Sequence, residues 1–269
     1  MFNDFYALSF NPFDKQQIHE KDSFQSRDFK EMTSRLDYLK DTRGIGLFTA
    51  SPGMGKSFCL RCFSKTLNPN LYRMEYVCLS TISVTDFYKQ LCSILGVSDH
   101  GGKTKMFKMI QEQFYSLHHD KRQTFILAID EAQYLSIGIL NDIKMLMNYG
   151  YDSVNCFSLI LCGESHLNSI LTRPVNEALR QRITVHYNYA GLSDTESAAY
   201  IVHKLSCAGS SKSIIEEAAI DAVSSQAHGN PRLIDNIMSD ALAIGTQLEK
   251  KCIDTDVILA SVNNQNLYV

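Results

Sequence analysis

The sequence predicts an α/β fold with a doubly wound parallel sheet, followed by a small C-terminal all-helical lid. Continuous apolar runs such as FILAID and CFSLILC are typical of strands that are buried on both faces of a parallel sheet. These runs alternate with helical patterns up to about residue 190, as a doubly wound sheet requires. After Gly191-Leu192-Ser193 the pattern becomes entirely helical, and Ser193 with Glu196 predicts a capping box at the first helix of this region.

The elements follow from apolar spacing. Residues 1–27 look irregular, and the next helix is indicated by Phe29, Met32, Leu36 and Leu39 at helical spacing. Strands are expected near 44–49, 72–79, 124–129, 156–162 and 183–189, and helices near 28–41, 56–67, 85–95, 103–117, 136–148, 194–207, 213–227, 231–246 and 254–262. We therefore expect two domains, an α/β core over 1–191 with an N-terminal clasp over 1–27, and a lid over 192–269.

Composition excludes several classes of protein. The 269 residues are 45% hydrophobic and 20% charged, as in an ordinary globular protein, and no apolar run approaches the ~20 residues of a membrane span. The N-terminus lacks the pattern of a signal peptide, and the eight cysteines are scattered, so a reduced cytoplasmic compartment and no membrane contact are expected. Cys59 and Cys62 are interpreted as buried helix positions. The net charge of −3 argues against a surface that binds DNA all over.

Residues 47–57, LFTASPGMGKS, join an apolar strand to a glycine-rich turn that ends in Lys56-Ser57. Gly53 and Gly55 permit backbone N–H groups to point inward at a phosphate, and the following helix directs its positive N-terminal dipole there. Lys56 would neutralise the β- and γ-phosphates and Ser57 would bind Mg²⁺. The phosphate-loop pattern has Gly where this chain has Ala50. Alanine at this position costs little free energy if its φ stays negative. The expected nucleotide-binding residues here are Ser51, Pro52, Gly53, Met54, Gly55, Lys56, Ser57 and Phe58.

A pair of carboxylates follows the apolar run at residues 125–129. Parallel strands deliver functional groups at their carboxyl ends, which is where Asp130 and Glu131 stand. We expect Asp130 to hold Mg²⁺, directly or through water, and Glu131 to orient and polarise the attacking water. Together with the phosphate loop, this pair predicts an enzyme that binds ATP with Mg²⁺ and hydrolyses it.

The order of phosphate loop, Asp-Glu pair, fourth strand and helical lid resembles the AAA+ class of P-loop NTPases. The segments FYALSFNPF, DEAQ, LILCGESHL, ALRQRI and HGNPRLIDNIMSDAL are similar to the ExeA-like ATPases, a branch that includes ExeA, TniB, TnsC and, more distantly, MuB. The resemblance covers nearly the whole chain, and the last segment is its most specific part.

The resemblance implies roles for further residues. Arg182 matches the arginine finger that a subunit offers to its neighbour's γ-phosphate, with Arg180 as second choice, and Arg232 matches the sensor-2 arginine. Glu164 and Ser165 stand at sensor 1, where relatives often have Gln in place of Glu164, which puts the speed of hydrolysis in doubt. Phe13 either packs on the adenine base or belongs to an aromatic N-terminal clasp.

The resemblance also implies partners. We expect self-association into a ring or helical filament on double-stranded DNA, with Lys103, Lys105 and Lys108 on the DNA backbone, and a partner transposase and a target-selection protein. Hydrolysis would reset this complex. The alternative is a cytoplasmic secretion or protein-assembly remodelling ATPase that never binds DNA. A third reading is a nucleotide-dependent switch with negligible turnover, which Glu164 would favour.

Overall fold

The computed structural model describes residues 2–15, 19–210 and 214–265. These residues form five strands: β1 Ile45–Thr49, β2 Tyr72–Val77, β3 Thr124–Ile129, β4 Phe157–Gly163 and β5 Ile183–Asn188. The α-helices of the described residues are α1 Phe2–Tyr6, α2 Arg27–Thr42, α3 Lys56–Thr66, α4 Val84–Leu95, α5 Lys103–His119, α6 Ile137–Leu146, α7 His166–Leu171, α8 Glu177–Arg180, α9 Asp194–Cys207, α10 Glu217–Ala227, α11 Pro231–Gln247 and α12 Thr255–Gln265.

Residues 31–52 and 56–189 form an α/β unit around one parallel sheet. The strand order is β2-β3-β4-β1-β5, and every pairing between neighbouring strands is parallel, which confirms the predicted fold class. All residues of β1, β3 and β4 are buried, as their continuous apolar runs predict for central strands. The outer strands β2 and β5 are partly exposed.

The strand register brings three chain segments to one edge of the sheet. Thr49, at the end of β1, pairs with Gly163 at the end of β4, and Ile129, at the end of β3, pairs with Leu161 of β4. Because all three strands run parallel, the residues that follow them leave the sheet at the same edge. The start of the phosphate loop, Asp130 and Glu164 are therefore neighbours, although up to 114 positions separate them in the sequence.

The helical unit comprises residues 1–30, 53–55 and 190–269, of which 1, 16–18, 211–213 and 266–269 lie outside the described residues. The capping box is confirmed, because the Ser193 side chain accepts from the Glu196 backbone and the Glu196 side chain accepts from the Ser193 backbone. Helix α10 was expected to begin at residue 213 but begins at Glu217. Ile215 forms a parallel bridge with Ile253, which keeps this stretch extended.

The N-terminal segment packs in the helical unit, whereas the sequence analysis placed it with the α/β domain. Tyr6, Leu8 and Phe13 are buried in the same apolar cluster as the side chains of α9, α11 and α12. The Tyr6 hydroxyl donates to the carbonyl of Lys250 at 2.8 Å. Apolar spacing identified the aromatic residues of this segment but could not identify the surface that covers them. The division of the chain into two domains at residue 191 stays a prediction.

One ion pair is buried inside the helical unit. The Lys204 ammonium lies 2.7 Å from Asp235 Oδ1, and the Tyr200 hydroxyl donates to the same carboxylate. Burial raises the pKa of Asp235 to about 6, and burial also lowers the pKa of Lys204. The pair holds α9 against α11, so it fixes the helix that carries Arg232.

No helix formed by the described residues is long and apolar enough to cross a membrane. Within the same residues, no group of three or more His, Cys, Asp or Glu side chains could hold a metal ion. Cys59 and Cys62 are both buried on α3, where the sequence analysis placed them, and burial raises the pKa of Cys59 to about 11. A thiol with a raised pKa carries little thiolate at neutral pH and is a poor metal ligand.

Candidate functional site

Lys56 stands at the first position of α3, at the end of the phosphate loop. Its ammonium donates to the carbonyl of Ala50 at 3.1 Å and approaches the carbonyl of Ser51 at 3.5 Å. Burial lowers the pKa of Lys56, and the carboxylates of Asp130, Glu131 and Glu164 partly oppose that effect. Ala50 has no positive φ, so its departure from the glycine of the pattern is tolerated as expected.

The loop glycines have the backbone that the motif requires. Gly53 has a φ of 87° and Gly55 has a φ of 90°, and residues with a Cβ rarely adopt such backbone conformations. Gly53 also lies against the start of α11, where a Cβ would come within 2.6 Å of Asn230 Oδ1 and 2.8 Å of Arg232 Cβ. Asn230 caps α11 by accepting from the Arg232 backbone N–H. Within the helical unit, Arg232 is therefore next to the loop backbone and its side chain is exposed.

Ser57 and Asp130 meet in the α/β unit. The Ser57 hydroxyl donates to Asp130 Oδ2 at 2.6 Å, and Asp130 is 4% exposed. The Tyr76 hydroxyl, from the end of β2, donates to the same oxygen at 2.6 Å. Desolvation and this bond to Asp130 raise the pKa of Tyr76. Asp130 also accepts from the backbone N–H of Glu131 at 3.0 Å, so the carboxylate is held on several sides.

Glu131 occupies a left-handed backbone position with φ of 52°, just beyond β3. Its carbonyl accepts from the Ser80 hydroxyl at 2.9 Å and from the backbone N–H of Tyr134 at 3.0 Å. Its carboxylate accepts from the side-chain amide of Gln133 at 2.6 Å. An L-residue in this conformation costs free energy, and the surrounding hydrogen bonds over-determine it.

Glu164 follows β4 at the expected sensor-1 position. Its backbone N–H donates to Gln133 Oε1 at 3.1 Å, and its carboxylate lies 3.6 Å from His166 Nδ1. Ser165 precedes α7 without a capping hydrogen bond from its side chain. The carboxylate of Glu164 adds negative charge near Lys56, which agrees with the doubt that the sequence raised about this position.

Arg182 is half-buried just before β5. Its guanidinium lies 2.7 Å from Asp152 Oδ1, and its side chain is 24% exposed. Asp152 belongs to a turn of left-handed residues whose neighbour Tyr151 is fully exposed. Arg180 is exposed on the last turn of α8. The ion pair holds the side chain of the predicted finger residue partly exposed at the surface of the α/β unit.

Phe13 is the candidate whose surroundings least favour its expected role. The ring is 3% exposed in the apolar cluster of the helical unit, with the Lys204 ammonium 5.6 Å from its centroid. Stacking on a base would require the ring to leave that cluster. The observed burial favours the alternative of an aromatic clasp.

The three lysines of α5 do not share one environment. The Lys103 ammonium lies 2.6 Å from Oδ2 of Asp142, a carboxylate that is almost fully buried. Lys105 is exposed, and Lys108 is exposed with only a 3.8 Å contact to Glu112. Lys103 therefore neutralises a buried charge although its side chain is 48% exposed, whereas Lys105 and Lys108 are candidates for a polyanion without this structural role.

The roles of three side chains at this edge are not indicated by the sequence. Tyr76, Ser80 and Gln133 contact Asp130 or Glu131 through side-chain hydrogen bonds. The carboxyl end of β2 could have indicated Tyr76 and Ser80, because functional groups collect at this edge. Gln133 lies in the DEAQ segment, but a spacing of two residues gave no sign that its amide would turn back to Glu131.

Comparisons with known proteins agree with this geometry. Residues 39–171 match the family model described as an AAA domain. The chain is 29% identical over 266 residues to the general secretion pathway protein A of Aeromonas hydrophila, with 97% of this chain covered. It spans only 48% of the length of that curated relative.

Several solved structures share the fold. Cdc6p from Pyrobaculum aerophilum superimposes with a TM-score of 0.70 at 13% identity, covering 99% of this chain and 72% of the other. The RuvB Holliday junction branch migration motor of Thermotoga maritima superimposes with a TM-score of 0.62 at 17% identity. The match covers 91% of this chain and 71% of RuvB. Drosophila ORC bound to DNA superimposes with a TM-score of 0.68 at 14% identity. The match covers 97% of this chain and 65% of the ORC chain. These structures share with this chain the P-loop NTPase fold, a parallel sheet with flanking helices and a helical C-terminal region.

Proposed function

We propose that this chain binds ATP and hydrolyses it to ADP and phosphate. The observation that carries the proposal is the cluster of Ser57, Asp130 and Glu131 at the edge of the sheet where Lys56 begins α3. A cation for the phosphates, two oxygen ligands for a metal ion and a carboxylate for water are the parts that phosphoryl transfer to water requires. The cluster combines them within one unit.

The Ser57 and Asp130 oxygens fit Mg²⁺. They lie 2.6 Å apart, and Mg²⁺ prefers one or two protein oxygens together with waters and substrate phosphates. We propose that these two side chains would hold the ion, which would neutralise negative charge on the phosphates. Tyr76 would orient Asp130 for that task, since its hydroxyl donates to the same carboxylate oxygen.

The remaining roles are assigned to the chain's own side chains. Glu131 would orient and polarise the attacking water, since it follows the metal-binding carboxylate directly. Arg232 would reach the phosphates from the start of α11, a proposal supported by its place against Gly53. Arg182 would act on the γ-phosphate bound by a neighbouring copy, as the resemblance implies.

Replacing Glu131 with Gln tests the reaction. The variant keeps the shape of the side chain and loses the carboxylate, so we expect normal ATP affinity and turnover lower by roughly 100-fold or more. Glu177→Gln is the matched control, because Glu177 is an exposed carboxylate of the same unit. Turnover by Glu131→Gln equal to that of the wild type would show that another group activates the water.

The target of the ATPase is a separate proposal. In one version the chain oligomerises on double-stranded DNA with ATP and directs a partner transposase, and hydrolysis resets the complex. The exposed Lys105 and Lys108 support it, as does the fold shared with ORC, whose structure was solved on DNA. In the other version the chain remodels a protein assembly without DNA, which the similarity to the general secretion pathway protein A supports.

Measuring DNA binding with and without ATP separates the two versions. Binding to double-stranded DNA of mixed sequence at low salt, together with particle imaging, should show ATP-dependent rings or filaments if the first version holds. Absence of DNA binding at low salt, with ATP hydrolysis intact, would leave the protein-remodelling version.

A further inference from the structure

We propose that Gln133 is a positioning residue for ATP hydrolysis, which fixes the Glu131 carboxylate by tying it to the end of β4 at Glu164. The inference rests on the proposed ATPase function and adds a residue to it. Gln133 follows β3 in a short 3₁₀ turn, Ala132–Tyr134, and its side chain is 5% exposed.

The amide of Gln133 bridges two groups from different strands. Its Nε2 donates to Glu131 Oε2 at 2.6 Å, and its Oε1 accepts from the backbone N–H of Glu164 at 3.1 Å. The orientation of the amide follows from chemistry, because a carboxylate only accepts and a backbone N–H only donates. Turning the amide over would break both hydrogen bonds, so only one orientation satisfies the site.

The space around the bridge is matched to Gln133. A Cβ added to Gly163 would lie 2.6 Å from Gln133 Oε1, so the glycine at the end of β4 leaves room for the amide. An unpaired amide buried here would cost free energy, and both of its ends are satisfied. Glycine is unfavourable in a strand, so the space that the bridge needs gives a reason for Gly163 at the end of β4.

Fixing one oxygen of Glu131 defines what the other can do. The backbone of Glu131 is held by Ser80 and Tyr134, and the amide of Gln133 occupies Oε2 through a short charge-assisted bond. Oε1 is then the oxygen that a water would use. Without the amide, the side chain of Glu131 could rotate, and an error of about 1 Å in the position of a catalytic group can cost 10²-fold in rate.

The same bridge links Glu131 to sensor 1. Glu164 cannot be displaced from β4 without stretching the bond between its N–H and Gln133. A movement of this peptide is therefore transmitted to the carboxylate that activates water. The link runs through the backbone of Glu164, so it does not depend on which side chain stands there.

The test compares Gln133→Met and Gln133→His. Methionine keeps an unbranched stem of similar volume but forms neither bond, so we expect kcat to fall about 10- to 100-fold while ATP affinity is unchanged. A neutral histidine can donate from one ring nitrogen and accept at the other, so it should retain more turnover than methionine. Gln111→Met is the control, since the Gln111 amide also contacts two groups of this unit, the carbonyls of Met145 and Asn148.

A double-mutant cycle decides whether Gln133 acts through Glu131. Adding Gln133→Met to Glu131→Gln should lower turnover no further, because the carboxylate that Gln133 positions is already gone. A full 10- to 100-fold additional loss in that background would overturn the positioning role, and so would wild-type kcat in Gln133→Met alone. If Gln133→Met does not fold, Gln133→Glu serves instead, because it keeps the shape and places a second carboxylate against Glu131.

Failure of the inference is distinguishable from failure of the proposed function. A wild-type chain that binds ATP and never hydrolyses it would overturn the ATPase proposal and the positioning role together. A wild-type chain with turnover that the methionine variant fully retains would overturn only the positioning role. Hydrogen exchange of the Glu164 amide reports on the bridge itself, and we expect it to quicken in Gln133→Met and not in Glu131→Gln.

Discussion

Single residues at the carboxyl edge of the sheet have contacts that suggest how each can be tested. Lys56 lies against carbonyls of its own loop, and burial lowers its pKa, so the site already orients and partly desolvates the cation that phosphates would meet. Asp130 is held by Ser57, Tyr76 and the backbone of Glu131. A group that is fixed before the ligand arrives loses little freedom on binding.

Lys56→Ala should abolish ATP binding at concentrations that saturate the wild type. Charge-assisted contacts contribute ~1.5–3 kcal/mol each, and this cation would contact more than one phosphate oxygen, so a loss of at least about 100-fold is expected. Lys65→Ala is the control, since Lys65 is exposed at the other end of α3. Equilibrium titration with ATP measures the effect, and wild-type affinity in Lys56→Ala would refute the phosphate-loop assignment.

Tyr76→Phe should raise the Mg²⁺ concentration needed for half-maximal turnover. Partners that orient metal ligands typically affect metal affinity about 10- to 100-fold, and a partly exposed phenol should fall at the lower end of that range. Tyr72→Phe removes a comparable phenol–carboxylate bond, to Asp41, from the same strand. Turnover is measured against Mg²⁺ concentration for both variants. An equal rise in the half-maximal Mg²⁺ concentration would show that losing any phenol from β2 has this effect, and that the bond to Asp130 is not its cause.

At the scale of elements, α5 shows that neighbouring lysines on one helix can have different surroundings. Lys103 lies against the buried carboxylate of Asp142 and 5.6 Å from the ring centroid of Tyr88, while Lys105 and Lys108 are exposed. Removing Lys103 would leave a buried charge without its cation, which destabilises a protein whatever it binds. A test of the DNA surface that includes Lys103 would therefore confuse folding with binding.

Lys105→Ala with Lys108→Ala should weaken ATP-dependent DNA binding if the transposition version holds. Phosphate contacts are insensitive to sequence and sensitive to salt, so the logarithmic salt slope should flatten by up to about two contacts per subunit. Lys65→Ala with Lys121→Ala removes two other exposed lysines as the control. Equal loss of affinity in both double variants would show a general charge effect, and no loss in the first would place DNA elsewhere.

The whole molecule raises the question of whether one copy suffices for hydrolysis. Arg182 is paired with Asp152 at the surface of the α/β unit, and Tyr151, which precedes Asp152, is exposed. An arginine offered in trans contributes ~10³–10⁵ in rate in related phosphoryl-transfer systems. A single copy that lacks this contact should turn over slowly.

Mixing Arg182→Ala with Lys56→Ala should restore part of the activity that each variant lacks alone. The first keeps an intact ATP site and the second keeps an intact arginine, so a mixed assembly contains complete sites. Turnover of the mixture is measured against each variant at the same total concentration. Activity no greater than the sum of the separate variants, in samples shown to contain mixed assemblies, would contradict action in trans.

The sequence alone determined the fold class, and it predicted the chemical groups of the candidate site. Continuous apolar runs indicated the buried strands β3 and β4, and β3 has the predicted bounds of Thr124–Ile129. The glycines of the phosphate loop and the pair Asp130-Glu131 could be found because their spacing along the chain is itself the requirement of the chemistry. A site can be predicted from sequence when its residues are close together along the chain.

Only the tertiary structure decided which side chains touch. Tyr76 reaches Asp130 across 54 positions, Lys103 reaches Asp142 across 39, and Gln133 joins Glu131 to Glu164. Periodicity tells which face of an element is apolar, but not which polar group from another strand will stand opposite it. For the same reason the sequence left two roles open for Phe13, since its apolar character fits either a ligand or a core, and its burial favours the second. The register of β2, β3 and β4 brings Tyr76 to Asp130 and Glu164 to Gln133, and register is fixed by packing of the whole sheet.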